Sequence, residues 1–210
     1  MRPGRSITVL TLLAACAPAL AAGEYDRALR VDVAVLQGDA RLLADPATPA
    51  VRRAGLRARI ASTLGTLGMT AREAGNPGPA SPQILLPSIA ALRTDFHRQR
   101  PDLFLRRATS LAMAFPLDTA YFIPLVATPL RARTGQSIYR QLCIGCHQYT
   151  DPKAANPAPD LFAMARSTPP AEFVARMLGG IHGVPRTTLK NPFSDEEIAS
   201  LLVYFSAGKP

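Results

Sequence analysis

Two of the three cysteines in the chain stand two residues apart in the run Leu142-Cys143-Ile144-Gly145-Cys146-His147, and one of its three histidines follows the second directly. Three chemistries compete for that pattern: covalent attachment of a c-type haem, half of a zinc site, or a short-range redox disulfide. Cys-x-x-Cys-His is the haem-attachment spacing. Two thiols on one helical turn can each add to a haem vinyl group, and the next residue is carried under the ring with its imidazole facing the iron. A structural zinc site needs about four nitrogen or sulfur ligands, and the sequence has no second Cys-x-x-Cys and no His-x-x-x-His. A thioredoxin-like pair expects a preceding strand in a βαβ context, whereas GQSIYRQLC, residues 135–143, reads as a helix. The spacing therefore favours one covalently bound haem c.

Covalent haem attachment in bacteria takes place outside the cytoplasm, and the N-terminus tests that directly. Arg2 and Arg5 form a positive start, Ile7 to Ala17 an apolar stretch, and Ala19-Leu20-Ala21 a small-residue cleavage site. Residues 1–22 thus read as an export signal, too short and too soon broken by Pro18 for a good transmembrane helix. Leu13 to Cys16 also fits a lipoprotein signal, which would leave Cys16 as a lipid anchor. Simple cleavage near residue 22 leaves about 188 residues, enough for two modest cores. The formal charge of +9 falls to about +7 without the two arginines. Export and the scatter of arginines along apparent helices argue against nucleic acid. A basic surface suits an acidic redox partner or an anionic membrane face.

The elements that must position the motif are all helical by pattern. Leu29, Val33, Leu36, Ala40 and Leu43 form one apolar stripe, closed by Asp45-Pro46. Thr48 as N-cap with Pro49 at the first helical position opens a second, running Leu56, Ile60, Leu64, Leu67 and Ala71. Ser81-Pro82 opens a third, with Leu85, Ile89, Leu92 and Phe96, and Arg100-Pro101 a fourth, with Phe104, Ala108, Leu111 and Phe115. Four amphipathic helices with short connections predict an antiparallel bundle over residues 24–118. Gly55, Gly65 and Gly68 weaken its second helix unless they permit close packing. Its one histidine, His97, sits among arginines at a helix end and reads as a surface residue, so the role expected of the bundle is structural or partner-binding. Residues 119–133, TAYFIPLVATPLRAR, read as an apolar linker able to pack against a domain.

From residue 134 to 210 the chain resembles a class I cytochrome c domain. The opening TGQSIYRQLCIGCH is similar to the family's first helix and haem motif, with Gly135 and Tyr139 at the usual places; PAPDLF, residues 157–162, is similar to its Gly-Pro-x-Leu segment; PFSDEEIASLLVYFSAG resembles its last helix. That last stretch carries a capping box, Ser194 with Glu197. The resemblance implies an all-α chain: a helical bundle followed by a small haem domain in which Cys143 and Cys146 attach the haem and His147 ligates iron. It also implies that the backbone at Pro159 accepts the proton on the other imidazole nitrogen, which sets tautomer and orientation.

The family's Met-Pro pair ahead of the last helix is replaced here by Val184-Pro185, and no methionine follows Met177. Four alternatives stand for the sixth iron position: His182 in its glycine-flanked stretch, Met177, Met164, or an open or water-bound site. Met177 shares a core stripe with Phe173 and Val174. Arg176, Arg186 and Lys190 read as solvated, with Arg186 the best placed to reach a haem propionate. Replacing a thioether by imidazole or water lowers the reduction potential. The function expected is single-electron transfer between periplasmic or membrane-bound redox proteins, with no small-molecule substrate identified. The alternative is a haem enzyme or small-ligand sensor with an open distal iron, in which His182 serves as acid or base.

Overall fold

The computed structural model describes residues 17–75, 82–180 and 191–208, and among them every regular element is helical. Helices α1 (Ala17–Ala44), α2 (Ala50–Glu73), α3 (Pro82–His97) and α4 (Pro101–Ala114) form the first unit. The four apolar stripes meet in one core, in which Leu29, Leu56, Ile60, Leu85, Leu92 and Phe104 are almost fully buried. Each helix packs on its neighbour in sequence, and α4 returns to α1. Connections this short make successive helices antiparallel, so the expected bundle forms. No described helix is long and apolar enough to cross a membrane.

The start of α2 differs from expectation. Pro49 is itself the N-cap, and no side chain caps the helix. The Thr48 hydroxyl instead donates to the Leu42 carbonyl at 2.7 Å. The last carbonyls of a helix lack intrahelical donors, so Thr48 serves the end of α1 and not the beginning of α2. Ser81 lies outside the described residues, as do Cys16 and the apolar stretch of the expected leader up to residue 16.

The second unit contains α5 (Pro129–Ile138), a π-helical turn (Tyr139–Cys143), α6 (Ile144–His147), α7 (Leu161–Ser167), α8 (Pro170–Gly179) and α9 (Asp195–Ser206). Helix α5 starts inside the stretch expected to be linker, with Thr128 as N-cap accepting from the Arg131 backbone N–H at 3.1 Å and Pro129 at its first position. The rest of that stretch belongs to the second core: Phe122 is buried there and Ile123 packs beside it. Arg131 and the Tyr121 hydroxyl both bond to Glu196 of α9, at 2.6 to 2.8 Å. Those hydrogen bonds, from Arg131 first and Tyr121 second, hold the Glu196 carboxyl down at about 2. The segment is thereby tied to α9.

Helices α5 and α9 cross backbone to backbone at Gly135. A Cβ there would fall 2.7 Å from the Ser200 carbonyl carbon and 2.8 Å from the Tyr204 Cβ. The crossing is sealed by edge-to-face rings, among them Tyr139 on Phe162 at 5.4 Å and Phe162 on Phe205 at 5.2 Å.

The two units share a polar seam over a small apolar patch. Val31 and Val35 of α1 bury Ala175 of α8, and Arg27 grips Asp195 with two hydrogen bonds of 2.6 and 3.0 Å. Asp39, 1 % exposed, accepts from Arg59 of α2 at 2.6 and 2.5 Å and from Arg176 of α8 at 2.9 Å. Arg176, expected on a solvated face, is thus drawn into the seam, where it also bonds Glu172 at 2.8 and 3.0 Å. Burial alone would raise the Asp39 carboxyl, but the two guanidinium groups outweigh it and hold the group below its ordinary value.

Two outcomes follow from this packing. Gly135→Ala gains at most about 1 kcal/mol of helix propensity but drives a methyl into main chain that cannot yield as a side chain does, at about 1–3 kcal/mol or more. Urea denaturation should show a net loss. Asp32 on α1 is pushed up to about 6 by burial. Between about pH 4 and pH 6 its unfolded form loses a proton that the folded form keeps, so stability falls as pH rises through that window. Asp32→Asn should flatten this part of the pH–stability curve and stabilise the protein at pH 7 by on the order of 2 kcal/mol.

Candidate functional site

The site begins where the α5 ladder changes pitch. The Ile144 backbone N–H bonds to the Tyr139 carbonyl, five residues back, across the π-helical turn that ends at Cys143. Such a widened turn rotates the residues after it relative to those before. Tyr139 stays buried in the aromatic cluster, while the end of the turn leaves Cys143 partly buried and α6 presents Cys146 exposed and His147 partly buried. Both cysteines are free thiols. Burial first, and the neighbouring Cys146 second, push the Cys143 thiol up, which keeps it protonated near neutrality.

Between His147 and α7 the chain forms a loop without helix or strand, and its main chain is tied down at several points. His147 Nδ1 lies 2.8 Å from the Pro159 carbonyl oxygen. A carbonyl only accepts, so Nδ1 carries the proton, and the neutral ring then has its lone pair on Nε2. The Thr150 hydroxyl donates to the Ala158 carbonyl at 2.9 Å. One residue past Pro159, the Asp160 carboxylate caps α7 by accepting from the Phe162 and Ala163 backbone N–H groups at 2.9 and 3.1 Å. Phe162 then enters the aromatic cluster with Tyr139, Tyr204 and Phe205. The carbonyl that orients the imidazole is therefore anchored through Asp160 and Phe162 to the same core that anchors α5. From the other unit, Arg52 donates to the Ala155 carbonyl at 3.3 Å and to Asn156 Oδ1 at 3.1 Å.

Cys143, Cys146, His147 and Pro159 are thus brought together. His182, Val184, Pro185, Arg186 and Lys190 lie outside the described residues. Met177 is 9 % exposed within the second core beside Phe173 and Val174, its carbonyl accepting from the Asn191 side chain; Met164 packs against the same core. His97 is exposed at the end of α3, its ring edge on to Phe96 at 6.1 Å. Among the described residues no group of three His, Cys, Asp or Glu side chains comes together.

The donor set fits a covalently held haem. Two thiols one turn apart can carry two thioether bonds, and an imidazole with its Nδ1 proton committed to a carbonyl offers Nε2 as a ligand. Sequence reading missed Arg52, Thr150 and the π-helical turn. The first two act on main-chain carbonyls, which no residue type advertises.

The family model described as cytochrome c oxidase, cbb3-type, subunit III matches residues 130–205, roughly a third of the chain. Its first residue is one past the start of α5, and its end falls within α9. No curated protein and no solved structure matches.

Asp160→Ala removes the cap of α7 and loosens the chain on which the Pro159 carbonyl rides. Chemical denaturation should register a loss of about 0.5–2 kcal/mol.

Proposed function

We propose that this chain, whose residues 130–205 are a cytochrome c domain of the cbb3 subunit III type, is an exported electron carrier holding one covalent haem c. The observation that carries the reading is the pairing of His147 Nδ1 with the Pro159 carbonyl at 2.8 Å, beside two free thiols, Cys143 at the end of the π-helical turn and Cys146 on α6. Bound there, haem would supply a one-electron iron couple. Cys143 and Cys146 hold it by thioether bonds, and His147 ligates through Nε2. The Pro159 carbonyl keeps the imidazole in one tautomer and raises its basicity as a ligand.

Of the three histidines, His97 is exposed on the bundle and His147 is committed to this side, which leaves His182 as the imidazole for the sixth position. The burial of Met177 in the core supports the same assignment. Arg186 is the candidate for a propionate. The leader directs the chain to the periplasm, either free or anchored through Cys16, and the basic surface favours an acidic redox partner there.

The test is the protein purified from a host that attaches haem c. Extraction with acidified organic solvent should leave the chromophore on the chain, and Cys143→Ser with Cys146→Ser should release it. Low-temperature magnetic resonance should show a low-spin oxidised iron that becomes high-spin in His182→Ala. An iron already high-spin in the parent, with rapid carbon monoxide binding after reduction, would contradict the carrier reading and support an open-site enzyme or sensor.

A further inference from the structure

Besides the Arg27–Asp195 pair, the α1–α2 pair meets the haem module at two places, one reached from α2 and one from α1 and α2 together. One is the loop between His147 and α7. Gly55 of α2 is buried against it, and a Cβ at that position would collide with the Ala155 carbonyl. One turn earlier on the same helix, Arg52 donates to that carbonyl and to Asn156. The other place is α8, where Asp39 of α1, also held by Arg59 of α2, accepts from Arg176, and Arg41 bonds Glu172 at 2.9 Å. The opposite face of α8 sends Phe173, Val174 and Met177 into the core on which Cys143 and Ile144 pack.

We infer that Arg52, Gly55 and the buried carboxylate of Asp39 are positioning residues for the haem module: through them the α1–α2 pair fixes the loop carrying Pro159 and the helix α8, and with them the orientation of the His147 imidazole. The inference rests on residues 143–147 carrying haem as proposed above.

The loop is the reason. Having no ladder of its own, it takes its position from the groups bonded to it, and Arg52 and Gly55 hold it at Ala155 and Asn156, a few residues before Pro159. Both residues reach the Ala155 main chain, which cannot turn aside as a side chain does, and both also meet the Asn156 side chain. The tolerance at the imidazole is small. A hydrogen bond of 2.8 Å leaves the normal range beyond about 3.2 Å, so a loop displacement of a few tenths of an ångström reaches Nδ1. Outer-shell groups of this kind change ligand orientation and basicity, and the charge and hydrogen bonding around a haem tune its potential. The bundle in this account works as an internal partner that sets the electronic state of the haem.

The experiment compares full-length holoproteins carrying Gly55→Ala, Arg52→Gln and Asp39→Asn with the parent and with Gly65→Ala. Gly65 lies ten residues along the same helix, and a Cβ there meets nothing within 4 Å. The inference predicts that Gly55→Ala and Arg52→Gln move the magnetic resonance g-values of the oxidised iron and the midpoint potential away from the parent. Arg52→Lys, which keeps a donor, should restore part of the shift, and Gly65→Ala should leave both readouts alone. Asp39→Asn should also shift them, through α8. Should Gly55→Ala or Asp39→Asn fail to fold, Arg52→Gln carries the test, because it adds no bulk and strips no buried charge of its partner. Folded Arg52→Gln and Gly55→Ala proteins with the parent's spectrum and potential, altered only in melting temperature, would overturn the inference and leave the seam purely structural. A parent without a covalent chromophore would instead overturn the haem reading, and the inference with it.

Discussion

An imidazole at the end of a four-residue helix can rotate about two side-chain bonds, and only an acceptor fixed in space can hold it in one tautomer and one orientation. The Pro159 carbonyl is that acceptor, at 2.8 Å from His147 Nδ1. Much of the second unit serves to keep the two atoms at this separation. Gly135 lets α5 reach the backbone of α9, the aromatic cluster ties α7 to both, and Asp160 ends the loop by capping α7. The residues that hold the site and the residues that hold the fold are therefore largely the same.

The seam between the units follows a different logic. Asp39 and its two arginines form a buried charged cluster, and such clusters seldom stabilise a protein relative to an apolar core of the same volume. Their energetic effect lies in breakage: removing one partner leaves a buried charge uncompensated, at roughly 3–5 kcal/mol. The result is directional. Val31, Val35 and Ala175 would tolerate sliding of α1 across α8. The fork of Arg176 between Asp39 and Glu172 tolerates it far less, since its bonds need particular angles as well as distances. A seam of this type fixes register more than it adds affinity.

What the sequence made legible was mostly periodic or local. The four apolar stripes of the bundle follow from 3.6-residue spacing, and every one of their named positions is buried in the core except Phe96, which is partly buried against it. The capping box at Ser194 and Glu197 uses a four-residue pattern and is present, with both reciprocal bonds made. The rest depended on partners remote in the chain. Arg176 reads as one more surface arginine until Asp39 arrives from 137 positions away. Thr48 carries a sound N-cap signal but stands within reach of the Leu42 carbonyl, and the end of α1 takes its hydroxyl. Thr128-Pro129 is the same cap-and-proline pattern that the sequence carries at Thr48-Pro49 and Ser81-Pro82, and here, where the apolar run before it obscures it, the threonine does cap the helix. The π-helical turn has no residue-type signature, because an i→i+5 bond needs only backbone.

The measurement that bears most directly on the account is a reversible redox titration of the intact purified protein, followed optically. One covalent haem held between two protein ligands predicts a single one-electron wave that retraces in both directions and a spectrum unmoved by carbon monoxide in the reduced state. A chromophore that separates from the chain on denaturation, or a titration with no reversible one-electron wave, would contradict the reading of residues 143–147 and the electron-carrier function built on it.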